Sequence, residues 1–487
     1  MRRTKIVATI GPSSQAEDVL KRMINGGMDV ARLNFSHGTH AEHEQNFRTI
    51  RRLSDKLGKP VGIIGDLQGP KIRTGELAGG PLSLRKGGDF VITTRKVKGA
   101  GNTISTTYRQ LHRDVKAGDR ILLDDGSIEA HVSKVTGRDI RCRIINGGKL
   151  GAHKGINLPG VRISEPSLTR KDKVDVRFAV KLGVDYLAMS FVRRPDDIER
   201  LKRMLKRLGA DIPVIAKIEK PEALENITAI LAGADGIMVA RGDLGVEMPP
   251  EKVPQIQKDL IAQCIESGKP VITATQMLES MITSARPTRA EASDVANAIY
   301  DGTGAVMLSG ETAVGEYPVQ AVRMMARIAD EADAHVGKKQ GKVFRHAETI
   351  DSFEDAIGQA TETTARHLPT RLIVCFTSSG FTAQQVSSYR PKVPIVAATH
   401  NREVLPRMSL YWGVQPICIK RVETVDAMII RVERELLDHR MAHKGDTIII
   451  TAGYPLGVRG TTNMMQLVRV GEHRRSATAG RDAGKRG

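Results

Sequence analysis

Val214-Ile-Ala-Lys217-Ile-Glu219-Lys220 and Gly236-Ile-Met-Val-Ala-Arg241-Gly242-Asp243-Leu-Gly245 share one plan, a short apolar run that ends in charge and a turn. Runs of this kind, buried on both faces and followed by a helical stretch, read as parallel strands of βα units, and ligands gather at their carboxyl ends. Working outward, the plan recurs at Lys5 to Ile10, Asp29 to Phe35, Val61 to Leu67, Tyr186 to Phe191, Pro270 to Ala274 and Ala305 to Leu308. With the quoted pair that makes about eight strands, and a closed (β/α)8 TIM barrel is expected from residues 1–69 and 164–338.

Between residues 70 and 163 the pattern changes to Gly, Thr and alternating apolar residues, as in Arg120 to Val132, with little helical periodicity. This predicts a small β-barrel domain inserted after the third barrel strand. After a helical stretch ending near Gly337, a polar Lys-rich link leads to a second α/β series in residues 339–472, with strands at Arg371 to Phe376, Val393 to Ala398, Val414 to Ile419 and Thr447 to Thr451 and a helix at Asp355 to Arg366. A C-terminal α/β domain, doubly wound, is expected there. Residues 473–487, with Arg474, Arg475, Arg481, Lys485 and Arg486 against Asp482, read as a basic disordered tail.

The 487 residues carry 74 Lys+Arg against 55 Asp+Glu, a formal charge of +19 that suits anionic substrates as well as nucleic acid. Aromatic residues make up only 3% of the chain, too few for the stacking platforms of single-strand binders, so no nucleic-acid role is expected. No apolar run reaches the length of a membrane span, and the start passes directly into strand-like sequence, so a cytoplasmic protein without a signal peptide is expected. Cys142, Cys264, Cys375 and Cys418 form no CxxC pair and read as reduced thiols.

The chemistry-bearing residues cluster where barrel strands end: Arg32, Asn34, Ser36 and His37; Asp66 and Arg73; Lys217 and Glu219; Arg241 and Asp243; Thr275 and Gln276; Glu311. Residues two apart on a strand point the same way, so Lys217 and Glu219 both face the barrel mouth. Glu219 and Asp243 on neighbouring strands make a Mg²⁺ site, because that hard ion takes few protein ligands and completes its shell with water and phosphate. Lysine beside such a metal reads as a clamp on transferring phosphoryl oxygens, and Arg32 and Arg73 offer guanidinium forks for phosphate or carboxylate. The glycines of Ala240 to Gly245 permit backbone N–H groups to approach an anion. His37, His40 and His43 have metal-like spacing but begin a polar helical stretch, and a solvated helix face is favoured. Ser36 and His37 lack an orienting acid, and neither a GxxxxGK[ST] loop nor a kinase glycine loop is present. In the last domain, Thr377-Ser378-Ser379-Gly380-Phe-Thr382-Ala383 lies between a strand and a helix, a natural phosphate cradle.

Lys5 to Ser14, Ala31 to Gly38, Gly69 to Gly75, Lys217 to Ala223, Met238 to Gly245, Ala274 to Met281 and Arg286 to Asn297, taken in order, resemble the pyruvate kinase family from Thr4 to about Gly471. The resemblance implies phosphoryl transfer from phosphoenolpyruvate to ADP, giving ATP and pyruvate, in a homotetramer. It implies that Glu219 and Asp243 hold Mg²⁺ or Mn²⁺, that Lys217 stabilises the phosphoryl group, and that Arg32 and Arg73 bind its oxygens. Backbone amides around Arg241, Gly242 and Asp243 would seat the substrate carboxylate, Thr275 would relay the proton, and Asn34, His37, Arg73 and Lys154 would contact the nucleotide. Closure of the inserted domain would exclude water. Thr377, Ser378, Ser379, Gly380 and Thr382 look like the family's loop for phosphorylated effectors. Many members need K⁺ and read Asp-Thr-Lys-Gly-Pro-Glu-Ile-Arg where this chain has Asp66-Leu-Gln-Gly-Pro-Lys71-Ile-Arg73. Asn34, Ser36 and Asp66 remain to ligate K⁺, but the Lys71 ammonium is expected to replace it. Two rivals stay open on sequence: another metal-dependent barrel enzyme of enolates that needs no ADP, and a non-enzymatic basic protein, against which the intact Lys217, Glu219, Asp243 and Thr275 argue.

Overall fold

The computed structural model describes residues 2–338, 352–455 and 461–472; the Lys-rich link and the basic tail expected from sequence lie outside them. Eight parallel strands close into a barrel in chain order: Lys5–Ile10, Val30–Asn34, Gly62–Asp66, Tyr186–Met189, Val214–Ile218, Gly236–Ala240, Val271–Ala274 and Ala305–Leu308. The third strand pairs with the fourth across the inserted segment, Tyr186 opposite Ile64, so the interruption in sequence leaves the barrel unbroken.

Alternation along each strand makes two apolar layers. Val214, Ala216 and Ile218 face the surrounding helices, whereas Ile215 joins Val7, Val30, Ile64, Ala188, Met238 and Ile272 in the barrel interior. Residues of the inward parity one step nearer the carboxyl end are Thr9, Arg32, Asp66, Ser190 and Lys217: the interior changes from aliphatic to polar within one residue pair. The opposite end is stoppered by the last domain, where Leu410 enters the interior cluster and the Tyr186 hydroxyl donates to the Arg407 carbonyl at 2.8 Å.

After the third strand the chain builds a six-stranded sheet around its own core of Phe90, Ile92, Ile121, Val132, Ile140 and Ile144. The last unit is a five-stranded sheet between helices such as Phe353–His367 and Val425–Asp438. Four of its strands, Leu372–Phe376, Ile395–Thr399, Val414–Cys418 and Thr447–Ala452, are parallel, and the fifth, Met464–Arg469, runs antiparallel at the edge. That edge strand escaped the sequence reading because an edge is half exposed and lacks the continuous apolar run of its neighbours.

The expected solvated histidine face is a correction. The helix His40–Leu57 starts after a Thr39 capping box, and His43 is turned inward whereas the His40 side chain stays 42% exposed. His43 is buried, edge-on to Phe35, with Nε2 2.9 Å from the His37 carbonyl; His40 stacks on Phe178 and lies 2.8 Å from Asp175. The partners come from other strands and helices, which spacing along one helix cannot reveal. Cys142, Cys264 and Cys375 are buried free thiols, and Cys418 is an exposed one.

Candidate active site

The polar layer at the carboxyl end of the barrel is a connected network. Lys217 Nζ donates to Ser190 Oγ at 2.7 Å and lies 2.8 Å from Glu219 Oε1 and 3.5 Å from Asp66 Oδ1. Asp66 Oδ2 accepts from Arg32 Nε at 2.6 Å, and Arg32 Nη1 donates to Thr9 Oγ1 at 3.0 Å. Glu219 Oε2 accepts the Phe191 N–H at 2.8 Å, from a residue held at φ 54° just past the fourth strand. Burial opposes the charge on Lys217, yet Asp66, Glu219 and Asp243 together hold its ammonium above the ordinary lysine range, against the repulsion of Arg32. Lys217 is therefore a fixed cation, unsuited to act as a base.

Asp243 sits in the first turn of the short helix Arg241–Glu247, which follows the sixth strand. Burial and the charge of Asp243 push Glu219 above the ordinary glutamate range, against the pull of Lys217. A buried carboxylate whose proton affinity is raised by a second carboxylate nearby marks a place suited to a cation, and Mg²⁺, which asks for few protein oxygens, fits Glu219 with Asp243. Both Glu219 oxygens already have one partner, but a carboxylate oxygen keeps lone pairs for another. Among the described residues no group of three or more His, Cys, Asp or Glu side chains forms a metal cluster.

Thr275 follows directly on the seventh strand at φ 69°, and Gln276 comes next at φ 52°. For a β-branched residue that conformation costs about 1–3 kcal/mol, and such outliers cluster where function demands them. It aims Thr275 Oγ1 at the Gly242 N–H, 2.6 Å away, and a Cβ on Gly242 would stand 3.3 Å from that oxygen. The Arg241 guanidinium is committed to Asp294 at 2.7 Å and to the Thr275 carbonyl at 2.8 Å, so only its backbone faces the mouth. Glu311, also at a strand end, is fully buried and accepts the N–H groups of Leu278 and Ser309, which makes it a loop brace.

The remaining rim residues ring the cleft under the inserted domain. Asn34 Oδ1 accepts the Ser36 N–H at 3.1 Å. His37 is held below the ordinary histidine range by burial and by the charges of Arg73, Lys71, Arg32 and Lys171, so four cations surround one neutral ring. Arg73 lies where the inserted domain begins, bridged to Gly155, and Lys154 pairs with Asp124 at 2.9 Å. Lys71 is exposed.

The chain matches the family model "Pyruvate kinase, barrel domain" over residues 1–322 and "Pyruvate kinase, alpha/beta domain" over residues 355–468. It is 48% identical over 474 residues to the pyruvate kinases of Staphylococcus aureus strains USA300 and bovine RF122/ET3-1, covering 97% of this chain and 81% of each relative. A crystal structure of a pyruvate kinase from Cryptosporidium parvum aligns with a TM-score of 0.88 at 37% identity, covering 96% of both chains. The chain belongs to the pyruvate kinase family. Like its pyruvate kinase relatives it is a phosphotransferase built on a closed barrel and a C-terminal α/β domain. Among the described residues no helix is long and apolar enough to cross a membrane.

In the pyruvate kinase α/β domain the expected cradle lines a cavity of about 490 Å³. Thr377 Oγ1 accepts the Gly380 N–H at 2.8 Å, and Gly380, at φ 89°, opens the helix Phe381–Ser388. Ser378 and Ser379 line the space, whereas the Thr382 hydroxyl pairs with Thr462 at 2.8 Å. Lys420, Arg421 and His400 join the lining from loops that sequence gave no reason to combine with it. The barrel site has its own additions of this kind, Ser190, Phe191 and Thr9, whose roles depend on neighbouring strands rather than on any motif.

Proposed function

We propose that this chain transfers the phosphoryl group of phosphoenolpyruvate to ADP, giving ATP and, after protonation of the enolate, pyruvate. The observation that carries the reading is the buried Lys217 ammonium, held between Glu219 and Asp66 and beside Arg32 at one rim of the barrel. Glu219 and Asp243 would hold Mg²⁺ or Mn²⁺, which when bound would supply charge neutralisation to the substrate's anionic oxygens. Lys217 and Arg32, already locked by their own partners, meet the charge that develops on the phosphoryl group without reorganising. Arg73 adds a guanidinium from the root of the inserted domain. Backbone N–H groups of residues 241–243 seat the substrate carboxylate. Thr275, aimed by its strained backbone, passes a proton to the enolate carbon. Asn34, His37, Arg73 and Lys154 contact the nucleotide, and the neutral His37 ring leaves the phosphates to the surrounding cations.

The reading includes K⁺-independent activity. The Lys71 ammonium takes the electrostatic place of K⁺ beside Asn34, Ser36 and Asp66, whose Oδ1 is buried with no hydrogen-bond partner. It also includes a cytoplasmic homotetramer whose α/β-domain cavity, with Thr377, Ser378, Ser379, Gly380 and Thr382, takes a phosphorylated effector. A coupled assay of pyruvate formation from phosphoenolpyruvate and ADP, run with and without Mg²⁺ and K⁺, tests all of this. Mg²⁺-dependent, ADP-dependent turnover that K⁺ leaves unchanged is expected, and Lys71→Glu should create a K⁺ requirement. Turnover without ADP would favour the rival enolate enzyme, and a large gain on adding K⁺ would remove the role given to Lys71.

A further inference from the structure

Glu219 and Asp243 lie on separate elements, the end of the fifth strand and the helix after the sixth, and each has a neighbour that ties those elements together. Lys220, next to Glu219, places Nζ 2.6 Å from Glu247 Oε1, and both side chains are buried. Glu247 is four residues beyond Asp243 on the same helix, hence on the same face. A third partner comes from the inserted domain: Asn157 Nδ2 donates to the same Glu247 oxygen at 3.0 Å. Asn157 lies on the strand Ile156–Asn157, which pairs with Leu122 and Leu123. The two units also approach at Gly126, where a Cβ would come 3.8 Å from Val246. By contrast, Arg193 holds only the root of that domain, through the carbonyls of Ile163 and Glu165.

We infer that Glu247 is a positioning residue and that its hydrogen bond from Asn157 latches the inserted domain to the helix carrying Asp243. The latch spans a small cavity of about 30 Å³ lined by Asp125, Asn157, Lys220 and Asp243, so the lid's position and the seat of the metal carboxylate are set by one buried anion. Freed from the latch, the lid stays open for a larger fraction of the time. ADP is then held less well, and water competes as acceptor. In that side reaction the bond from phosphorus to the enol oxygen breaks, one to a water oxygen forms, inorganic phosphate leaves with water's proton redistributed to solvent, and the enolate is protonated to pyruvate.

The inference rests on the phosphotransfer reading above, and the full-length enzyme tests both separately. Asn157→Ala should raise the KM for ADP about tenfold, the size of a lost hydrogen bond to a charged group, with a smaller change in kcat. It should also yield more pyruvate than ATP. Asn157→Asp, which sets a second carboxylate against Glu247, should do more of both. Thermal melting should change little, because Asn157 is only half-buried. Glu247→Gln, which keeps the shape, should reproduce the ADP effect with a lower melting temperature, since Lys220 loses its counter-charge. Unchanged KM and a one-to-one product ratio in both Asn157 variants would overturn the latch, as would a loss that merely follows the folded fraction. If the parent enzyme forms no pyruvate from phosphoenolpyruvate and ADP, the reaction reading fails by itself. Hydrogen exchange then still decides the latch: residues 70–163 should exchange faster in Asn157→Asp, and equal rates would sink it.

Discussion

The barrel mouth and the α/β-domain cavity are both lined for anions, yet they are built in opposite ways. At the centre of the mouth the charges are buried and paired: Arg32 with Asp66, and Lys217 with Asp66 and Glu219. In the cavity the donors are hydroxyls and the side chains of Lys420 and Arg421, around about 490 Å³. The first arrangement holds its dipoles in place before substrate arrives, which is what stabilising a transition state requires. The second, as a site for a phosphorylated ligand in the proposed reading, would meet ground-state oxygens at a helix start and would need no such rigidity. The difference teaches that cationic lining alone does not mark a site for transition-state stabilisation; prior pairing of the charges is what distinguishes the barrel mouth from the cavity.

Lys217→Met strikes the paired side directly and should have the largest effect, a fall in kcat of about a thousandfold, since a preorganised charge is lost. The coupled assay checks it. Melting should drop as well, because Glu219 and Asp66 lose a buried counter-ion, a change that typically costs about 3–5 kcal/mol. A variant with kcat near the parent's would mean that the pairing in the mouth is structural only. Glu219→Gln comes next: the Mg²⁺ concentration for half-maximal rate should rise at least about tenfold, as for removal of a coordinating group. On the unpaired side, Ser379→Asp should leave the basal rate within about twofold while abolishing any response to sugar phosphates or AMP, because an added carboxylate repels phosphate. Collapse of the basal rate would erase the contrast between the two sites.

The smallest effect concerns His43, packed beneath the rim. Burial, the largest cause, holds it below the ordinary histidine range, helped by the charge of His40. The unfolded chain therefore binds a proton before the folded one does, so stability is lost as pH falls below about 6.5, by at most about 1.4 kcal/mol per pH unit for one group. Melting temperatures from pH 8 to pH 5 should fall less steeply in His43→Gln, once both proteins are referenced to pH 8. An unchanged slope would show that the rim histidines carry no protonation linkage.

Much of the molecule was legible because parallel strands buried on both faces must be apolar throughout. Lys5–Ile10, Val214–Ile218, Gly236–Ala240 and Ala305–Leu308 begin and end in the structure where their apolar runs begin and end. The facing of Lys217 and Glu219 followed from the two-residue period of a strand, and it is met by a contact of 2.8 Å. The edge strand Met464–Arg469 was invisible because half-exposed strands carry no such run, and the histidines misled because their partners Phe35, Asp175 and Phe178 come from other elements. The motif around Arg241 pointed to backbone amides, and which partner takes the guanidinium, Asp294 on a later helix, could not be read from it.

Local pattern thus determined which residues form strands, which way each side chain points and where charge concentrates, because these depend on period and polarity within a few neighbours. Tertiary structure alone decided who meets whom: Ser190 with Lys217, Thr275 with Gly242, Asn157 with Glu247. Those pairs join residues 27, 33 and 90 positions apart; closing the barrel sets the first two separations, and the seating of the inserted domain sets the third. Nothing in the residues themselves encodes that distance; it arises when eight strands share one set of ladder bonds and tilt.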